Sequence, residues 1–394
     1  MKQLLGATLL LLAGCASYDV RTTDFTPVQQ LEVPVSMDTR LDIGIQVLEP
    51  DLENLPEEAL AFSGVREAES VWVASQLKQT LDRTQAWGLV RVLPDEEVLV
   101  DLRLQGKILQ SDGETVALHI VAEDSSQRVW LDREYEQIVS RYAYADEQTS
   151  REPFQGLYNR IANDLLASAR QMTPNERRQV RRITDLRFAA SFSPEAFDSF
   201  LVENNEGHLR FDRLPAENDP MWERIERIRV RDQMFVDVLQ DYYRGFVGEM
   251  DEPYSAWREQ SYIETRVIRD LNEAARAQKI AGWLSIAVGI GAQFSDDYAT
   301  RLAGSVATYG GLQSIQRGYL AQDEALLHIQ TLTELGESLQ LNLEPSVIEL
   351  QDRTVTLAGT TRDQYREWRE ILRQIYQREM APILTPEADV EQQP

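Results

Sequence analysis

Apolar and polar positions alternate first at Leu41, Ile43, Ile45 and Val47, the period-two signature of a half-buried strand. Val73, Leu77 and Leu81 then recur every four residues, which predicts a helix. "GLVRVLP" reads as a short strand that Pro94 stops. "VLVDLRLQGKIL", "ETVALHIVAE" and "QRVWLDREYEQ" follow as three alternating runs. The turns between them, at Ser111-Asp112-Gly113 and Asp124-Ser125-Ser126, make an antiparallel meander. Phe154, Leu157, Ile161 and Leu165 mark a closing helix that ends near Pro174. The pattern predicts a β-α-β-β-β-β-α domain over residues 41–172.

Beyond it the period lengthens, and residues 173–344 read as a mainly helical region. Thr173, Pro174 and Glu176 have the N-cap, N1 and N3 chemistry of a helix start, and "SPEA" at 193–196 predicts another. After the loop "LPAENDP", Ile225, Leu239 and Phe246 fall in steps of seven, with Asp232 at the vacant step. Ile228, Phe235 and Tyr242 form a companion seam. Two such seams fit a coiled coil between chains, or packing within one domain. A further helix is expected from about Tyr254 to Gln278. It leads into "AGWLSIAVGIGAQF" and "LAGSVATYGGL", where Gly282 and Gly289, then Gly304 and Gly311, are seven apart. That spacing puts each pair on one helical face, where two backbones can approach closely. The reading is a glycine-rich helical hairpin. Its glycine faces serve either internal packing or an oligomer face, and a surface dipping into the bilayer is the remaining alternative. Residues 345–380 predict a β-hairpin followed by an amphipathic helix on Tyr365, Trp368, Leu372 and Ile375, and residues 381–394 read as a disordered tail. The fold class expected is α+β.

The amino terminus has different chemistry. Lys2 precedes the apolar run Leu4 to Leu12, the layout of a signal peptide over residues 1–14. The run closes as Leu12-Ala13-Gly14-Cys15, and Cys15 is the single cysteine of 394 residues. That tetrad resembles the lipobox of bacterial lipoproteins. The resemblance implies cleavage before Cys15, a covalent lipid on its thiol and a triacylated terminus able to hold a membrane. Ala16 and Ser17 lack the aspartate that retains such proteins at the inner membrane, which implies the outer membrane, facing the periplasm. Residues 15–40, polar and containing Pro27 and Pro34, read as a tether of roughly 25 residues reaching on the order of 80 Å.

The element order over 41–172, with "VDLRLQGKI" leading the meander and "VWLDREYE" ending it, resembles the amino-terminal α/β domain of TolB and related modules of CsgG-like and LpoB-like envelope lipoproteins. Those relatives use the module for protein contacts.

Net charge is −25, which disfavours binding to nucleic acid. No catalytic signature is present: His119, His208 and His328 are far apart, and HExxH, GxSxG and a P-loop are missing. Asp296-Asp297 reads as a solvated turn, so no metal or cofactor is expected beyond the lipid on Cys15. The functional expectation is a lipid-anchored envelope adaptor, not an enzyme, acting through contacts with other envelope proteins. The alternatives are a subunit of an oligomeric outer-membrane secretion or assembly complex, itself a homo-oligomer, and a regulator of peptidoglycan synthesis.

Overall fold

A computed structural model describes residues 25–31, 36–54, 63–144, 152–216, 218–293 and 361–378. Within them the chain is α+β. Five strands, β1 Ile43–Gln46, β2 Val90–Leu93, β3 Leu102–Ser111, β4 Thr115–Asp124 and β5 Val129–Ile138, form one sheet in the order β2-β1-β3-β4-β5. β1 runs parallel to both neighbours, pairing Ile43 with Val90 on one side and with Leu102 on the other. β3, β4 and β5 are the expected antiparallel meander.

Strand β4 buries alternate residues, and Leu118, Ile120 and Ala122 point into the core. There they meet Leu77 and Leu81 of α1 (Ser63–Arg83) and Leu157, Ile161 and Leu165 of α2 (Gln155–Gln171). The β3–β4 turn is tight at Gly113, whose φ of +79° is open to glycine at little cost. A side chain there would also strike the backbone of a later helix at Arg258 and Tyr262.

α3 (Pro174–Phe192) starts as expected. Thr173 accepts from the Glu176 backbone N–H, and the Glu176 carboxylate accepts from the Thr173 backbone in return. The second expected start does not extend. α4 covers only Pro194–Phe197, Ser193 makes no side-chain cap, and the chain turns into a small hairpin of β6 (Leu201–Glu203) and β7 (Leu209–Phe211).

Three other expectations are corrected. Residues 15–40 are not all tether. Asn159 donates to the Thr26 carbonyl at 2.7 Å, Asn163 brackets the chain at Pro27 and Gln29, and Leu31 donates to the Thr84 carbonyl. Farther on, Arg178 pairs with Asp38 and Arg181 donates to the Met37 and Arg40 carbonyls. These groups satisfy an extended backbone without a strand, so a proline-containing segment can lie on the body. Second, two expected helices are one: α5 runs Pro220–Gln293, 74 residues, through Pro253. A proline there removes one intrahelical hydrogen bond, which the burial of Met250 and Tyr254 on either side helps to offset. Third, the boundary expected at 172/173 divides elements that share a core, since Val180 of α3 and Tyr243, Phe246, Met250, Tyr254 and Tyr262 of α5 pack with the sheet.

A final helix, α6, spans 361–378; of the face its pattern predicts, Tyr365 and Leu372 are buried and Trp368 and Ile375 half-buried, while Tyr376, outside that pattern, is buried too. The expected hairpin before it lies outside the described residues.

Candidate functional site

The densest chemistry lies where α5 and α6 close onto the sheet, in two clusters of buried charge. In the first, Glu69 of α1 accepts from Ser111 Oγ at 2.5 Å and from Tyr254 Oη at 2.6 Å, with Arg66 at 3.4 Å. One turn farther along α5, Arg258 pairs with Glu152 at 2.5 Å and lies over the rings of Tyr254 and Trp72. Burial pushes the Glu69 carboxyl up, against the pull of Arg66. Burial alone would lower the Arg258 pKa, but Glu152 and Tyr254 outweigh it and raise it. Arg269, on the same helix, closes onto Glu114.

The second cluster lies between β2, α3, α5 and α6. Arg91 of β2 pairs with Asp237 at 2.6 Å. Gln240 donates to the Val92 carbonyl and accepts from the Val92 N–H, both at 2.9 Å, so a side-chain amide stands where a sixth strand would be. Asp101, after β2, accepts from the Asp42 N–H at 2.9 Å and the Thr184 hydroxyl at 2.7 Å. Arg229 reaches Asp185. Asp232 accepts from Tyr365 Oη at 3.3 Å, and burial pushes its carboxyl up to about 6 although Arg369 and Arg229 pull it down. Asp42, Arg91, Arg229 and Asp232 enclose a cavity of about 10 Å³, room for at most a single water.

These carboxylates and guanidiniums are paired across elements, and their geometry does one thing well: it clamps two helices to a sheet. Desolvated pairs cost much to break but add little net stability, so their effect here is to fix where α5 and α6 sit. A larger groove of about 530 Å³ opens between α3 and α6, lined by Ser191, Phe192, Glu195, Arg373 and Tyr376. His119 faces solvent and pairs with Asp132 at 2.7 Å, and His208 sits in the β6–β7 turn beside Glu206. Among the described residues no group of three metal-ligating side chains converges.

Of the residues singled out in the sequence, Gly282 and Gly289 lie on the backbone of α5. Leu12, Ala13, Gly14, Cys15, Gly304, Gly311 and His328 lie outside the described residues. Within the heptad seams, Ile225, Ile228, Leu239 and Phe246 are buried inside this chain, whereas Tyr242 is exposed. Sequence reasoning missed Glu69, Arg258, Asp101 and Arg369. One signal was available: Asp232 interrupts an apolar seam, and a carboxylate at a core step needs a partner, here Tyr365 with Arg369 nearby. Compared with family models, curated proteins and solved structures, the chain matches none.

Proposed function

We propose that this protein is a lipid-anchored adaptor of the bacterial envelope, held at the outer membrane through Cys15 and acting in the periplasm through contacts with other proteins. The observation that carries the reading is α5. Its first two-thirds is clamped by ion pairs, the last of them Arg269 to Glu114 among the described residues, and Gln293 lies roughly 36 Å farther along the helix. A long helix rigidly mounted on a small α/β body presents surface to a partner rather than a pocket to a substrate. The Leu12-Ala13-Gly14-Cys15 tetrad supports the anchor. The body approaches the membrane closely on this reading, because only residues 15–24 separate the lipid from the docked segment, a span of about 35 Å at most.

Labelling cells with a palmitate analogue tests the anchor, and in-cell crosslinking followed by mass determination tests the adaptor. The expected result is a labelled wild-type protein, an unlabelled Cys15→Ser variant released from membranes, and a stoichiometric complex with a second protein. An unlabelled wild type would remove the anchor. Absence of any second protein across crosslinkers of different reach would remove the adaptor.

A further inference from the structure

α6 lies against α5 in the opposite direction. Thr361 Oγ1 is 3.3 Å from Tyr243 Oη, and Tyr365 shares a buried cluster with Leu239 and Val236. Trp368 stacks on Phe235 at 4.9 Å, and Leu372 shares a cluster with Ile228 and Ile225. Numbers rise along one helix as they fall along the other, so the two are antiparallel. α5 meanwhile runs on from Tyr243 to Gln293, about 50 residues or roughly 75 Å. Residues 294–360 leave from that far end and have to return to Thr361, beside Tyr243. As continuous helix they would reach about 100 Å, enough to come back along α5 with a break at Pro345.

The far part of α5 needs a neighbour. Residues 270–293 extend past Arg269, the last clamp among the described residues, and include Gly282, Gly289 and Gly291. A helix draws most of its stability from packing, and each glycine weakens it further. The spacing of small residues says which neighbour fits. They recur in steps of seven at Ala275, Gly282 and Gly289, and again at Gly304, Gly311 and Gly318. Ser285 and Thr308 fall three or four residues from these, on the same two faces. The two series mirror each other about Asp296-Asp297. Gly289 and Gly304 are equally far from that turn, and so are Ser285 and Thr308, Gly282 and Gly311, and Ala275 and Gly318. A face meant for another molecule has no need to be centred on its own turn.

We propose that residues 302–318 pack antiparallel against residues 275–291 of α5, with Gly289 opposite Gly304, Ser285 opposite Thr308 and Gly282 opposite Gly311. Seams of small residues let two backbones come to about 8 Å, the near limit for helix pairs. α5 and the returning chain then make one two-helix stalk, which α6 completes over the body. A seam filled in this way is closed to a second copy and to the bilayer, and the stalk presents the acidic Asp296-Asp297 turn at its far end. This inference rests neither on the anchor nor on the adaptor reading.

The test uses the chain from residue 15 onward with Cys15→Ser, which leaves no native thiol, and adds Ser285→Cys with Thr308→Cys. Mild oxidation should join the two new thiols within one chain, read as linked peptides at single-chain mass under non-reducing, denaturing conditions. Ser285→Cys with Ala303→Cys puts one thiol off the seam. It should react more slowly by about tenfold or more, because Cα atoms beyond about 7 Å cannot be bridged without moving the backbone. Gly289→Leu should lower the melting temperature, although leucine is the better helix former and would raise it on a bare face. A disulfide that joins two chains overturns the proposal, as does an off-seam pair that forms as fast as the 285–308 pair. So does a failure of the 285–308 pair to join, or a Gly289→Leu variant that melts higher than its parent.

Discussion

Arg258 of α5 reaches Glu152, 106 residues earlier, at 2.5 Å, and both side chains are more than nine-tenths buried. The pair stands between the start of α2 and the middle of α5, beside Glu69, whose carboxyl lies under Tyr254. Removing the guanidinium would leave two carboxylates in low dielectric with less positive charge to answer them. Arg258→Ala is therefore expected to cost about 3–5 kcal/mol in urea unfolding. Replacing both partners by apolar residues of similar size should recover most of that loss.

Asp232 gives a pH dependence of known sign. Its carboxyl titrates near 6 in the fold and at the ordinary 3.8 when unfolded. The folded state keeps a proton that the unfolded chain has released, so stability falls as pH rises from about 4 to about 6 and stays lower above that. The shift corresponds to about 3 kcal/mol. Asp232→Asn still accepts from Tyr365 and has no proton to lose. Its stability relative to wild type should rise by up to about 3 kcal/mol between pH 4 and pH 7, as read by denaturant titration at each pH.

Gln240 satisfies both main-chain groups of Val92. Gln240→Ala leaves that N–H and carbonyl without the amide at a buried position, a cost of about 2–3 kcal/mol. Amide exchange at Val92 should quicken with it, which distinguishes loss of this edge contact from general loosening.

The capping box of α3 is exposed and local. Thr173→Ala should lower stability by about 1 kcal/mol, and Thr173→Ser should retain nearly all of it, both measured by thermal melting.

Period and turn chemistry were enough to read the α/β half. The alternation at Leu118, Ile120 and Ala122, and the Gly113 turn, are local signals, and the five strands follow from them in order. The α3 start was equally legible, because Thr173, Pro174 and Glu176 act within four residues. The helix expected to begin at Tyr254 is instead continuous through Pro253, where a proline argues against an unbroken helix and the burial of neighbouring Met250 and Tyr254 helps to offset it. Residues 25–31 misled differently: the asparagines that hold them lie more than 130 residues away on α2. The candidate clusters depend on such distant pairs, Arg91 with Asp237 and Glu69 with Tyr254 among them, and spacing along one chain does not reveal these.

One consequence of the sheet remains. At β2 the amide of Gln240 occupies the free edge, and at β5 the carbonyls of Trp130 and Glu136 accept from Ser168 and Arg160 of α2. Side chains of neighbouring helices thus occupy one residue of the β2 border and two carbonyls of the β5 border, main-chain groups that an incoming strand would otherwise use. Strand addition there, whether by a partner or in misassembly, would first have to displace those side chains.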